Sequence, residues 1–162
     1  PTGAEAAGAV LEARVAAHED DGITVLTAGR AQLLLPRMAQ PVGTPVRVRI
    51  AAQDVILGLS APDDLSALNV LAGTVSELRV GDGPGALVAV ETEAGRLLAR
   101  VTRRSLDRLS LRVGAPCHAI IKSVGIARAG IGGAALSEQR DLVEPRGVEP
   151  LTSCMPCKRS PN

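Results

Sequence analysis

Gly8-Ala9-Val10-Leu11-Glu12-Ala13-Arg14-Val15 and Gly73-Thr74-Val75-Ser76-Glu77-Leu78-Arg79-Val80 agree at both glycine starts, at Val, Glu and Arg, and at the closing Val, with an offset of 65 residues. The order of matches continues downstream. Ala28-Gly29-Arg30 corresponds to Ala94-Gly95-Arg96, Val42-Gly43-x-Pro45 to Val113-Gly114-x-Pro116, and Ile50 falls opposite Ile121. Ordered matches of this kind indicate two copies of one small unit. The growing offset places an extra segment near residues 102–111 of the second copy. There Ser105-Leu106-Asp107-Arg108-Leu109 predicts one or two helical turns.

Each copy is a series of short apolar pieces separated by turn signals, the pattern of a small all-β barrel. Residues 8–17 end at the acidic Asp-Gly turn His18-Glu19-Asp20-Asp21-Gly22, and Ile23 to Thr27 returns. Gln32 to Leu35 is stopped by Pro36, Val46 to Ile50 alternates Val with Arg, and Val55 to Leu59 is expected to close the first unit. The fold class expected is therefore all-β: tandem OB-fold-like small barrels, the second with a short helix. The boundaries expected are residues 1–62, 63–128 and a tail at 129–162.

Composition narrows the function. Among 162 residues, 46% are hydrophobic and none is Phe, Trp or Tyr, so Val, Leu, Ile and Ala must fill the core. A net charge of +1 and no aromatic stacking platforms argue against an OB-type nucleic-acid binder. Three cysteines, with Cys117 in an apolar strand, fit a reduced setting. No apolar run is long enough to span a bilayer.

Polar chemistry concentrates at Ala119-Ile120-Ile121-Lys122-Ser123-Val124-Gly125-Ile126, a strand-like run ending in a lysine and a hydroxyl. Lys122 is the first lysine of a chain that otherwise uses arginine. The first copy has Ala51-Ala52 at the corresponding place, an asymmetry that suggests a polar site kept in one copy. Ser66 opens the second unit, and Thr102 with Ser105 forms a predicted helix cap with free N–H groups nearby. An ammonium, hydroxyls and a helix start can host a tetrahedral oxyanion. The same residues can equally be a snorkelling lysine and an ordinary cap.

Ser66-Ala67-Leu68-Asn69-Val70-Leu71 with Gly73-Thr74-Val75, then Thr102-x-x-Ser105, then Ile121-Lys122-Ser123-Val124, resembles the molybdate-binding Mop (or TOBE) domains. Residues 8–128 as a whole are similar to the C-terminal regulatory region of the ATP-binding subunits of molybdate ABC importers. The resemblance implies molybdate or tungstate as ligand, held between two subunits of a homodimer by Ser66, Thr102, Ser105, Lys122 and Ser123. It also implies a membrane permease as partner of the parent protein, and a place in the cytoplasm, peripheral to the inner membrane. Many free-standing Mop domains carry arginine where this chain has Leu68, a missing donor that Arg103 or Arg104 could replace. The alternative that this departure supports is a ligand-free structural dimerisation module.

No catalytic centre is expected. The chain has no glycine-rich phosphate loop, so no nucleotide is expected in it and the ATPase part of the presumed parent would lie elsewhere. His18 and His118 have no nucleophile at a recognisable spacing and read as incidental. Cys154-x-x-Cys157 lacks a second ligand pair, so no metal site is expected. Residues 147–162 resemble the antisense translation of a bacterial alanine transfer-RNA gene, which reads as run-on into a neighbouring gene. Such a tail is expected to be disordered. Removing residues 130–162 should then leave the thermal midpoint unchanged, and a drop of several degrees on a melting curve would overturn this.

Overall fold

The computed structural model describes residues 7–123 and, beyond them, the backbone of Ile131 and Gly132. The described body lies in the compact unit Pro1–Ile131, and Gly132–Asn162 form a second unit. The expectations for the tail, for Cys154 and Cys157, and for Val124 to Ile126 fall outside the described residues.

The strands are β1 (Gly8–His18), β2 (Ile23–Ala28), β3 (Ala31–Pro36), β4 (Pro45–Ala51), β5 (Val55–Gly58), β6 (Asn69–Val80), β7 (Gly85–Thr92), β8 (Gly95–Thr102), β9 (Pro116–Ile121) and β10 (Ile131–Gly132). One helix, α1 (Arg103–Leu109), follows β8, and a 3-10 turn covers Ala52–Asp54. Two curled antiparallel sheets result, as the all-β reading expects. In one, β4, β1, β2 and β3 lie side by side; the other runs β5-β9-β6-β7-β8. Alternation drives the pairing: in β4, Val46, Val48 and Ile50 point inward while Arg47 and Arg49 face out. A single apolar cluster joins both sheets, from Leu11, Val15 and Leu26 to Val90, Leu97 and Ile121.

Two expectations are corrected. Val55 to Leu59 does not close the first unit; β5 pairs instead with β9, Val55 opposite Ile121 and Gly58 opposite His118. The linker Ala52-Gln53-Asp54 forms a 3-10 turn with extended backbone on either side rather than a two-residue hairpin, and the chain crosses to the other sheet.

The second correction concerns the register of the repeat. Val15 N–H donates to Thr44 O at 3.0 Å and its carbonyl accepts from Gly43, while Val75 makes the same two bonds with Ala115 and Gly114. A bulge follows both valines. The equivalent of Val15 is therefore Val75, an offset of 60, and Ala9 corresponds to Asn69 because they face Ile50 and Ile121. The eight-residue match quoted first aligns positions on opposite faces: Val10 is 52% exposed where Val75 is 1%, and Val15 is 1% where Val80 is 54%. An odd slip in a strand inverts every side chain. The glycine turns are also out by two, since Ala28 faces Ala31 and Thr92 faces Gly95. The Pro45/Pro116 and Ile50/Ile121 matches stand, as Pro45 faces Arg14 and Pro116 faces Thr74. Duplication is right; its first quoted alignment is not.

Where the two hairpin turns meet, Arg30 N–H donates to Glu93 O at 3.0 Å. Gly29 adopts φ +60° there, and a Cβ on it would stand 2.2 Å from that carbonyl, so no other residue fits.

His18 has a structural place. Its Nε2 lies 2.8 Å from the carbonyl of Gln40, which can only accept, so Nε2 carries the proton in the neutral ring. Nδ1 then accepts from Thr24 Oγ1 at 2.9 Å, and the fully buried Thr24 accepts from Met38 N–H at 3.0 Å. This chain of bonds fixes the strand ends around the acidic turn.

Asn69 joins the sheets. Its Oδ1 accepts from Leu34 N–H at 2.7 Å, and its Nδ2 donates to Leu34 O at 3.0 Å and to Ser123 Oγ at 3.2 Å. Asn69→Ala would leave the Leu34 amide and carbonyl without partners at a buried junction. The expected cost is about 2–4 kcal/mol in urea unfolding, and a change under about 0.5 kcal/mol would remove the clamp from the account of stability.

Candidate functional site

The five expected site residues fall at two places. Thr102 ends β8 and caps α1: its Oγ1 accepts from Ser105 N–H at 3.0 Å and lies 2.9 Å from Ser105 Oγ. The extended backbone at Thr102 starts the helix and Ser110 ends it in the left-handed conformation. Thr102 is exposed, and Leu106 anchors the helix on the core.

Ser66, Lys122 and Ser123 lie elsewhere. Ser66 is exposed on the connection before β6, and Lys122 is exposed immediately after β9. Asn69 and Ile121 face one another, so Ser66 and Lys122 leave the same end of the β6–β9 pair. Ser123, the next residue, is 6% exposed, its Oγ bound by Asn69. A serine hydroxyl that accepts from an amide retains its own proton for donation.

The two groups stand at opposite ends of the second sheet. β6 runs from Asn69 to Val80, Val80 faces Ala86, and Gly85 faces Thr102. One chain brings Ser66, Lys122 and Ser123 to one end and Thr102 with Ser105 to the other; it does not bring all five together. Leu68, 52% exposed, stands beside the lysine end. Arg103, proposed as a replacement donor, gives its guanidinium to Gly81 O, while Arg104 remains exposed.

Sequence reasoning missed Asn69, quoted only within a motif. Its signal was a polar residue at an inward strand position between apolar neighbours, which demands partners. With the corrected register, Asn69, Lys122 and Ser123 stand where the first copy has Ala9, Ala51 and Ala52. Cys117 is 2% exposed and burial pushes its thiol pKa up, consistent with a small core residue. No cluster of metal-ligating residues occurs among the described residues. No helix there is long and apolar enough to cross a membrane.

Comparison with known proteins gives a consistent answer. Residues 65–127 match the TOBE domain model. The chain is 40% identical over 126 residues to the molybdenum import ATP-binding protein ModC of Mesorhizobium japonicum, covering 77% of this chain and 34% of that protein. It is 41% identical over 124 residues to ModC of Albidiferax ferrireducens, covering 75% and 33%. The chain thus spans about a third of the length of these relatives. Among solved structures it resembles the cytoplasmic molybdate-binding protein ModG with molybdate bound, at TM-score 0.66 and 24% identity, covering 76% of this chain and 94% of that one. That likeness supports the fold.

The cap is separable from any ligand. Thr102→Ala should cost about 1 kcal/mol through loss of the N-cap bond, while Thr102→Ser should restore most of it. Equal melting temperatures for all three proteins would mean that the cap bond does not form in solution.

Proposed function

We propose, from the premise that residues 65–127 belong to the TOBE domain family, that this chain is a regulatory oxyanion-binding region of a molybdenum importer's ATP-binding subunit. It binds molybdate, or tungstate, between two copies. The observation that carries this reading is the asymmetry of the duplication: Asn69, Lys122 and Ser123 in one copy, Ala9, Ala51 and Ala52 in the other. Asn69 and Ser123 also serve the sheet junction, whereas Lys122 is exposed and outside that network, so the lysine is the member of the set with another use.

Lys122 supplies the charge. Ser123 donates its hydroxyl proton while Asn69 holds its oxygen, and Ser66 adds a donor from the facing connection. Thr102 and Ser105 are at the far end of the same sheet, so they join the ligand only from a second copy. A two-fold dimer completes two such sites at once. This makes ligand occupancy and dimerisation one equilibrium, a direct route from oxyanion concentration to the association of two ATPase subunits. The region itself carries out no catalysis and holds no nucleotide. A membrane permease is the partner of the whole protein, on the cytoplasmic side, and nucleic acid is not a ligand.

Leu68 favours one competing reading, a dimerisation module without ligand, because an apolar residue stands beside the proposed anion. Calorimetry separates the two. Molybdate and tungstate are expected to bind at micromolar or lower Kd, with sulfate weaker, and Lys122→Ala should weaken molybdate by about one to two decades. An intact dimer on light scattering with no heat of binding would establish the structural module instead.

A further inference from the structure

An open cavity, separate from the five residues above, lies beside the turn between β6 and β7. It has a volume of about 670 Å³ and is lined by Arg79, Val80, Gly81, Leu87, Leu98 and Arg100, among others. Its size and largely apolar wall with few polar groups are those of a site for a small organic molecule. Both polar side chains are arginines.

Their states differ. Arg79 is exposed and donates through Nε to Glu77 at 2.7 Å; the Glu77 carboxyl is held below its ordinary pKa first by that bond and then by Arg96. Arg100 lines the cavity, yet its Nη2 is sealed from water with no hydrogen-bond partner. A guanidinium nitrogen held from water without an acceptor is costly to keep, and an acceptor in the cavity that the half-buried side chain turns to meet removes that cost. The core does not need the charge. Arg100 faces Leu87 as Pro36 faces Ile23 in the first copy, so the first barrel manages with proline at this position.

We propose that this cavity is a second ligand site, for an organic carboxylate: the apolar body lies on Val80, Leu87 and Leu98, and the carboxylate is taken by Arg100 with Arg79 at the mouth. A planar fork of donors matches a carboxylate in a bidentate pair. The apolar wall selects such a ligand over a bare inorganic oxyanion, whose oxygens would face hydrocarbon. The site does not depend on the molybdate reading.

The test uses the full chain and 2-naphthoate as probe, with 2-naphthylmethanol as its neutral counterpart, titrated by calorimetry with and without saturating molybdate. Saturable binding of one naphthoate per chain is expected, with at least about tenfold weaker binding of the alcohol. Arg100→Met and the surface variant Arg79→Met should each weaken naphthoate severalfold or more, and Lys122→Ala should leave it unchanged. Arg79→Met keeps the test sharp if Arg100→Met does not fold. No saturable binding, equal binding of the alcohol, or unchanged affinity in both arginine variants would overturn the proposal. Failure of molybdate to bind in a separate titration would leave it standing.

Discussion

One carboxamide holds the arrangement together. Asn69 sits 2% exposed at the start of β6, and its side chain imitates a peptide unit, pairing with both the amide and the carbonyl of Leu34 on β3 of the other sheet. Edge strands expose unpaired backbone groups; this contact satisfies one such pair without another strand. The third bond, to Ser123, fixes the residue after Lys122. Sheet junction and candidate anion site are thus one polar network, and buried networks of this kind are valuable only when every member is satisfied.

The exchange of β5 reinforces the junction. A four-residue strand from the end of the first copy completes the second sheet on β9, and Val55 and Leu57 enter the common core while Ile56 stays outside. The second sheet is not completed by its own copy's sequence alone. A mutation that loosens β5 therefore acts on β9, whose last residue precedes Lys122. Stability and the position of the ammonium are coupled through the register opposite Ile121.

Much of this could be read from the sequence, for definite physical reasons. Short alternating runs bounded by Gly and Pro gave strands β1 to β4 nearly to the residue, because one buried face imposes a period of two. The Thr102–Ser105 cap was legible since capping is a local bond between residues three apart. The repeat was legible as duplication but not in register: Gly, Val, Glu and Arg recur throughout the chain, and only burial distinguishes Val10 from Val75. What escaped was nonlocal. Nothing near Val55 names β9 as its partner, and nothing near Asn69 names Leu34, thirty-five residues away. His18 escaped similarly, because its partners Thr24 and Gln40 converge only once the strands are formed.

The opposite placement of Lys122 and Thr102 bears on how such a region senses its ligand. Were all donors at one end of the sheet, a monomer could bind the anion and occupancy would say nothing about assembly. On the function proposed above, with three donors at one end and two at the other, a lone chain would offer an incomplete site limited to the charge and hydroxyls of the lysine end. Juxtaposing two copies would add the cap hydroxyls of the second chain, so the ligand would favour the dimer by the free energy of those added contacts. Leu68 leaves this coupling untouched: a donor withheld from the lysine end lowers the affinity of monomer and dimer alike, and the difference between them is still set by the contacts of the partner's Thr102 and Ser105.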